Sequence, residues 1–305
     1  MDRRDEVRDF LVSRRGRVTP EQVGLPAGLG TRRVTGLRRS EVAQLAGVSV
    51  EYYTQLERGN VRGASESVLD AIARALQLDE AERRHLFDLA RAENTRGATR
   101  RRPARHQVRP SVQHVLDAQL SPAWVSNGRG DIVAINRLGR ALNAPLFEDP
   151  ARPVNFARFR FLNPRASDFF RDWEATANDT VAALRSAAGK NPYDRELTDL
   201  VGELSTRSPE FRTRWAKHDV RLHQTGVKRL HHPVVGDLDL TYEGMQLLSD
   251  PGLVLFVYTA EPGSASRQGL DLLATWAATT EREERAASQE RTSQGPGAPR
   301  DLTAT

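Results

Sequence analysis

The short sequence AGVS at residues 46–49 separates two amphipathic segments, and it constrains the fold of this chain more than any other feature. Gly47 readily adopts a positive φ, and Val48 can bury its side chain at the resulting corner. The Ser49 hydroxyl can accept a hydrogen bond from the first N–H groups of the segment that follows. The pattern therefore predicts a helix-turn-helix, whose second helix fits the major groove of B-DNA.

The distribution of charge agrees with a polyanionic partner for the first third of the chain. Arginine supplies 42 of the 45 basic residues, and such an excess by itself often reflects genome composition. Residues 1–110, however, hold 22 Arg against 15 acidic residues, whereas residues 111–305 hold 23 basic and 25 acidic residues. The positive excess is thus confined to the part that contains the predicted helix-turn-helix.

A length of 305 residues predicts two domains. We predict an all-α helix-turn-helix domain at residues 1–94, an Arg-rich linker at 95–110, a second domain at 111–280 and a disordered tail at 281–305. The second domain is expected to be α+β with an antiparallel sheet, because short apolar runs alternate with turn residues. The strands are predicted at residues 122–126, 132–136, 227–232, 238–248 and 253–259. Helices are expected at residues 137–143, at about 164–216 with breaks near 189–192 and 208–209, and at 270–278.

Several classes of protein are disfavoured by the sequence. The chain has no cysteine, which removes disulfides, thiolate metal sites and Cys nucleophiles. No apolar run approaches the ~20 residues that a membrane span needs, and the charged N-terminal segment has no apolar signal core. A phosphate-binding Gly-rich loop, a metal signature and a nucleophile motif are not recognisable. We therefore expect a cytoplasmic protein without membrane insertion, enzymatic activity, cofactor or metal.

Residues 37–90 resemble the lambda-repressor-like helix-turn-helix of the xenobiotic-response-element class. The resemblance rests on EVAQLAGVS, followed after six residues by LERG. The longer run GLRRSEVAQLAGVSVEYYTQLERG is similar to an actinobacterial branch whose members continue into an MmyB-like ligand-binding domain. The segments PAWVSN, RWAKHDV, HHPVVGDLDL and FVYTAEPGS resemble that second domain. The resemblance covers residues 30–280, and it implies a PAS-like fold with a largely apolar pocket for a small hydrophobic ligand such as a fatty acid.

The motif, carried over position by position, implies which side chains contact DNA. Gln55 can pair with adenine, Glu51 can accept from cytosine, and Val50 can contact a thymine methyl group. Tyr53 and Leu56 match buried positions. Arg38 stands where the family commonly has a capping Ser or Thr, which puts the start of the first helix in doubt. The full set of predicted DNA-binding residues is Arg39, Ser49, Val50, Glu51, Tyr52, Thr54, Gln55 and Arg58, of which Arg39 and Arg58 are expected to hold phosphates.

Candidate ligand contacts in the second domain rest on weaker patterns. The aromatic residues can either line a pocket or form plain core, and an Arg can bind a carboxylate through two hydrogen bonds. The candidates are Trp124, Phe156, Phe159, Arg160, Trp173, Trp215, His218 and Arg221. His218 beside Asp219 suggests an acid–base pair, but a structural turn is the simpler interpretation. His231 and His232, together with His218 or His223, could form a metal site, but we favour an exposed pair before Pro233.

These patterns favour a transcription regulator that binds a double-stranded DNA operator as a homodimer and responds to a small hydrophobic ligand. The alternative is a DNA-binding regulator whose second domain mediates dimerisation or recruits a protein without a small ligand. An enzyme fused to a DNA-binding module is a third hypothesis, and no motif in the sequence supports it.

Overall fold

The computed structural model describes residues 3–25, 34, 36–94, 107–191, 193–217, 219 and 225–293. The first part of the chain is helical, and the second combines strands with helices. In chain order the elements are α1 (Arg3–Arg17), a 3₁₀ helix (Glu21–Val23), α2 (Arg39–Ala46), α3 (Val50–Glu57), α4 (Glu66–Ala75), α5 (Glu80–Asn94), α6 (Pro110–Asp117), β1 (Ala123–Asn127), β2 (Ile132–Ile135), α7 (Arg137–Leu142), α8 (Ala144–Phe147), α9 (Phe156–Leu162), α10 (Ala166–Phe169), α11 (Trp173–Lys190), α12 (Arg195–Arg207), α13 (Pro209–Trp215), β3 (Thr225–His232), β4 (Gly236–Gln246), β5 (Leu253–Thr259) and α14 (Ala265–Ser293).

The first five helices enclose one apolar core, to which α1 contributes Phe10 and α4 contributes Ile72. Tyr53 and Leu56 of α3 are fully buried in this core, as the motif predicted. Burial of such large side chains on one face of each helix is the main source of stability for helices this short. The all-α fold expected for the N-terminal domain is therefore confirmed.

The second domain is built on an antiparallel sheet, which within the described residues has five strands in the order β2-β1-β5-β4-β3. Strands β1 and β5 lie side by side at its centre, with Trp124 opposite Phe256. The predicted α+β class is confirmed. Gly130, in the turn between β1 and β2, has a φ of 81°, a conformation that favours glycine.

The two faces of the sheet have different partners. In β3 and β4 buried and exposed residues alternate, so that Leu230, Leu238 and Leu240 point to the same side. On that side they pack with Trp124 and with Leu273 of α14. The opposite side of β1 and β5 is covered by α6. One side of the sheet therefore faces most of the helices of the domain.

Asn136 connects four elements at the edge of the sheet. Its side-chain oxygen accepts from the backbone N–H of Gly139, at 2.7 Å, which caps α7, and from that of Ala123 in β1, at 3.0 Å. Its amide nitrogen donates to the carbonyls of Ser121, at 2.8 Å, and of Leu116 in α6, at 3.3 Å. A buried amide that satisfies several buried backbone groups fixes the relative positions of α6, β1 and α7.

The structure differs from the prediction in three places. Helices α8 and α9 lie where no helix is predicted; the aromatic residues of α9 are expected either to line a pocket or to form plain core. Helix α14 continues to Ser293, into the segment predicted to be disordered. That segment is rich in Glu and Arg and also contains Ala, residues that favour helix. Most of the predicted linker, residues 95–106, and the last part of the predicted tail lie outside the described residues.

Candidate functional site

The turn between α2 and α3 has the geometry that the sequence predicted. Gly47 has a φ of 66°, and its N–H bonds back to the end of α2. The Ser49 hydroxyl accepts from the N–H of Tyr52 at 3.1 Å and thereby caps α3. At the start of α2, the carboxylate of Glu41 accepts from the N–H of Arg38 at 2.6 Å. Glu41, in the first turn, therefore caps this helix, and a Ser or Thr at position 38 is not needed for this bond.

Helix α3 presents an exposed face next to this turn. Ser49, Val50, Glu51, Gln55 and Arg58 are exposed, and they include acidic, amide and basic groups that can meet base edges or phosphates. The helix therefore has the polar surface that a recognition helix needs.

Two of the predicted contacts are less available. Tyr52 is half-buried and packs against the core of the N-terminal domain. Thr54 is also half-buried, and its hydroxyl donates to the carbonyl of Val50 at 2.7 Å.

The C-terminal end of α3 is anchored by Glu57, whose role the sequence did not reveal. Its side chain is 1% exposed and is held by Arg15 of α1 and Arg39 of α2. Burial by itself raises the pKa of the Glu57 carboxyl, but hydrogen bonds from Arg15 and Arg39 outweigh this and hold the pKa below its usual range. Arg39 is therefore a structural partner of α3 as well as a candidate phosphate contact, and 48% of its side chain is exposed.

Helix α1 touches both ends of the helix-turn-helix through backbone contacts. A Cβ on Gly36 would lie 2.4 Å from the carbonyl oxygen of Arg15, and a Cβ on Gly59 would lie 2.4 Å from that of Arg4. Gly59 also has a φ of 89°, which favours glycine. These close approaches explain why the LERG segment ends on glycine, and they make α1 part of the DNA-binding unit.

A cavity of about 690 Å³ lies in the second domain. This volume is typical of small-molecule sites, which measure ~300–1,000 Å³. Aromatic and aliphatic side chains form most of its wall. They come from the sheet and from α7, α9, α11 and α12, and include Trp124, Leu142, Phe156, Leu184, Leu197 and Phe256.

Arg160 of α9 is the unusual polar group of this cavity. Its guanidinium lies over the Phe170 ring, with Cζ 4.5 Å from the centroid, and donates to the hydroxyl of Thr180 in α11. Its Nε is buried and has no hydrogen-bond acceptor among the described residues. No carboxylate among these residues forms an ion pair with Arg160. Burial lowers the pKa of Arg160 to about 10, and the guanidinium remains charged at neutral pH.

The groups around Arg160 do not neutralise it fully. Lys228 of β3 donates to Asp179 of α11 at 2.8 Å, so this pair has no net charge. Burial raises the pKa of Tyr258, which therefore stays neutral at physiological pH. This part of the cavity wall carries one net positive charge beside apolar surface, an arrangement that suits an anionic group attached to an apolar body.

A second arginine of the cavity wall, Arg129, provides a contrast. Its guanidinium lies 3.0 Å from Asp131, 3.0 Å from Asp194 and 2.8 Å from Glu196. Because these carboxylates surround it, Arg129 connects the β1–β2 turn to the start of α12 and does not offer an unpaired charge.

The other predicted ligand contacts lie in different places. Trp124, Phe156 and Arg160 line the cavity, whereas Phe159 packs edge-on against Phe169 and Phe170 in the core. Trp173 donates its indole N–H to the carbonyl of Arg160 at 3.1 Å, and thus supports α9 from outside the cavity. Trp215 stacks on Phe211 at the contact between the two domains. His218 and Arg221 lie outside the described residues.

The histidine pair before Pro233 differs from the expected exposed pair. His231 is exposed, and its Nδ1 lies 2.6 Å from the carboxylate of Asp237. His232 points to the other side of β3 and is buried. Its Nε2 donates to the carbonyl of Ala141 at 3.0 Å. Adjacent strand residues point to opposite faces, so the two rings cannot share a ligand. In the described part of the chain, no group of three or more metal-ligating side chains is placed to hold a metal ion.

The geometry defines a class of protein: a helix-turn-helix domain with an exposed recognition helix, joined to an α+β domain that encloses a small-molecule cavity. Family comparisons agree with both halves. Residues 10–86 match the model of a helix-turn-helix domain, and residues 108–273 match that of the MmyB-like transcription regulator ligand binding domain.

The second match covers more than half of the chain, and the protein belongs to the family of MmyB-like transcription regulators. It is a DNA-binding transcription regulator with a ligand-binding domain. A comparison with curated proteins finds no match. No helix in the described ranges is long and apolar enough to cross a membrane.

Proposed function

We propose that the protein is a sequence-specific regulator whose DNA binding is modulated by an anionic amphiphile, such as a fatty acid, in the cavity of a PAS-like second domain. The observation that carries the proposal is Arg160, a cation that has no ionic partner among the described residues and lies in a largely apolar cavity. A buried charge of this kind is costly unless a ligand compensates it. A carboxylate bound to Arg160 would remove this cost, and the apolar wall would cover the hydrocarbon chain.

On the DNA side, we propose that Val50, Glu51 and Gln55 read base edges and that Arg58 contacts phosphate. Their exposure around the capped start of α3 supports this assignment. Ser49 would position α3 through its cap, with Tyr52 and Thr54 at the margin of the contact. A homodimer would place two recognition helices about one DNA turn apart, the spacing at which such regulators read two half-sites.

The ligand must bind the DNA-competent arrangement of the protein more tightly, or less tightly, than the alternative arrangement. A second domain that only recruits a protein would not need a cavity of this volume, or a buried arginine in its wall that forms no ion pair with any described carboxylate. The cavity therefore favours the sensory role over recruitment without a small ligand.

The first experiment compares the mass of the purified native protein before and after organic extraction. A calorimetric titration with palmitate and with hexadecanol follows. We expect a copurified anionic lipid, or palmitate binding at least about tenfold tighter than hexadecanol, because a hydrogen bond to a charged group contributes about 1.5–3 kcal/mol.

Arg160→Gln should abolish the preference for palmitate while leaving hexadecanol binding intact. The matched control is Arg195→Gln, because Arg195 is exposed at the start of α12 and lines no part of the cavity. Absence of a copurified lipid together with absence of palmitate binding would contradict the proposed ligand and favour a recruiting or dimerising domain.

A further inference from the structure

Helix α11 lies between the cavity and the DNA-binding domain. One side of the helix lines the cavity with Thr180, Ala183, Leu184 and Ala187, which recur at helical spacing. Other positions of the same helix contact α1 and α5 of the first domain. A single rigid element therefore belongs to both the ligand site and the domain interface.

The contact with α5 depends on a glycine. A Cβ on Gly189 would lie 2.6 Å from Cε1 and 2.7 Å from Nδ1 of His85, and 3.7 Å from the Leu89 side chain. His85 is itself buried and meets the Phe10 ring edge-on, at 5.0 Å between centroids. The imidazole is thus packed between α1 and α11, and a larger residue at position 189 would require this buried ring to shift.

The contact with α1 depends on a buried ion pair. Arg185 is 0% exposed, and its guanidinium donates to the carboxylate of Glu6, 179 residues away in the sequence. The same guanidinium donates to the carbonyl of Trp215 and lies over that ring, with Cζ 4.0 Å from the centroid. Arg17 of α1 adds a nearby ion pair with Asp219.

The head-group region of the cavity reaches α11 directly. Arg160 donates to Thr180, whose hydroxyl donates in turn to the carbonyl of Thr176 at 2.9 Å. A ligand carboxylate on Arg160 would lie beside the Thr180 hydroxyl, and its chain would press on Leu184 and Ala187, one and two turns further along α11. Ligand occupancy therefore acts on the helix that carries Arg185 and Gly189.

On the other side of the interface, α1 contacts α3, the proposed recognition helix. The same helix that offers Glu6 to Arg185 also offers Arg15 to Glu57 at the end of α3. A change in the docking of α1 is therefore transmitted to the position of α3.

We propose that α11 links ligand binding to docking of the two domains, with Arg185–Glu6 and Gly189–His85 as the contacts that hold the docked state. This inference rests on the proposed ligand site, and it names the route by which that site acts. The link is thermodynamic, so loss of docking must change the affinity of the cavity as well.

The test measures palmitate affinity and amide hydrogen exchange in the full chain and in three variants. Gly189→Ala places a methyl group against His85, and Glu6→Gln removes the carboxylate from the first domain without touching the cavity. Gly202→Ala in α12 is the control, because a Cβ there meets nothing within 4 Å. Thermal unfolding of each variant shows whether it is folded.

In the wild type and the control, palmitate should change exchange in α1 and α5 as well as in α11. In Gly189→Ala and Glu6→Gln the change should stop at α11, and the palmitate Kd should shift about fivefold or more, the lower end of typical coupling. Equal Kd values in all four proteins, with exchange changes confined to residues 107–293, would overturn the inference alone. A wild type that binds no palmitate would overturn the proposed ligand together with it.

Discussion

Arg15 of α1 holds the carboxylate of Glu57, the last residue of α3, with Nε 2.6 Å from Oε2 and Nη2 3.2 Å from Oε1. Arg39 of α2 approaches Oε1 at 2.7 Å. Three helices of the DNA-binding domain therefore meet at one buried carboxylate. The ion pairs therefore tie the end of α3 to α1 and α2, in addition to the contacts of the apolar core.

Glu57→Gln should lower the free energy of unfolding by about 3 kcal/mol at neutral pH, because two arginines lose their buried partner. The pKa of Glu57 is held down in the folded state, so its stabilisation is complete above the unfolded pKa and is lost as pH falls through the folded value. The difference between variant and wild type should therefore shrink below about pH 4. Urea unfolding at several pH values measures this difference in stability. The control is Glu51→Gln, which changes an exposed residue of the same helix and should alter stability by less than about 0.5 kcal/mol.

Gln55→Ala should cost about 1–3 kcal/mol on the selected operator and relax the preference at one base position. The operator is first selected from a random duplex library, and both proteins are then compared on single-base variants of it. Gln44→Ala is a suitable control, because Gln44 is exposed on α2 and outside the predicted contacts. Unchanged selectivity in Gln55→Ala would show that α3 enters the groove differently.

Arg58→Ala should weaken binding to all DNA sequences alike and reduce the slope of log affinity against log salt by about 1. The exposed Arg58 should leave unfolding unaffected, since it forms no ion pair in the described part of the structure. Arg39→Ala should weaken DNA binding similarly and also destabilise the domain, because it releases Glu57. Salt titrations together with urea unfolding separate the two effects, and equal stability of both variants would argue against the Arg39–Glu57 contact.

Asn136→Ala should destabilise the second domain by about 3 kcal/mol, because the change removes a helix cap and leaves several buried backbone groups unsatisfied. Asn163→Ala is a matched control, since that side chain accepts a hydrogen bond in an exposed loop. Calorimetric unfolding compares them, and a similar loss in both variants would contradict the connecting role of Asn136.

Features set by neighbouring residues were predictable from the sequence. Gly47 and Ser49 specify the turn and cap of the helix-turn-helix, and these requirements involve only the adjacent backbone. The strands of the second domain were likewise indicated by short apolar runs between turn residues. The sequence offers Arg160 as a candidate carboxylate partner, although nothing in its surrounding sequence indicates that its charge has no ionic partner among the described residues.

Features that join distant parts of the chain were not predictable in this way. Arg185 lies in an alanine-rich helix, and no local pattern indicates that its partner is Glu6. Helix α9 alternates aromatic residues with arginine, a pattern that does not identify a helix by periodicity. Burial of Arg185, Glu57 and His232 depends on which elements pack against them, and this is decided only when the whole chain folds.

The close contacts of α1 with Gly36 and Gly59 set the limits of the unit that can be transplanted between regulators. A fusion that carries only residues 37–90 would lose Arg15, one of the two arginines that hold Glu57, and would expose the core that Phe10 covers. A fusion that includes α1 also contains Glu6, whose carboxylate pairs with Arg185 of the second domain in this protein. On a different sensor domain, the buried carboxylate of Glu6 would need a new basic partner in place of Arg185.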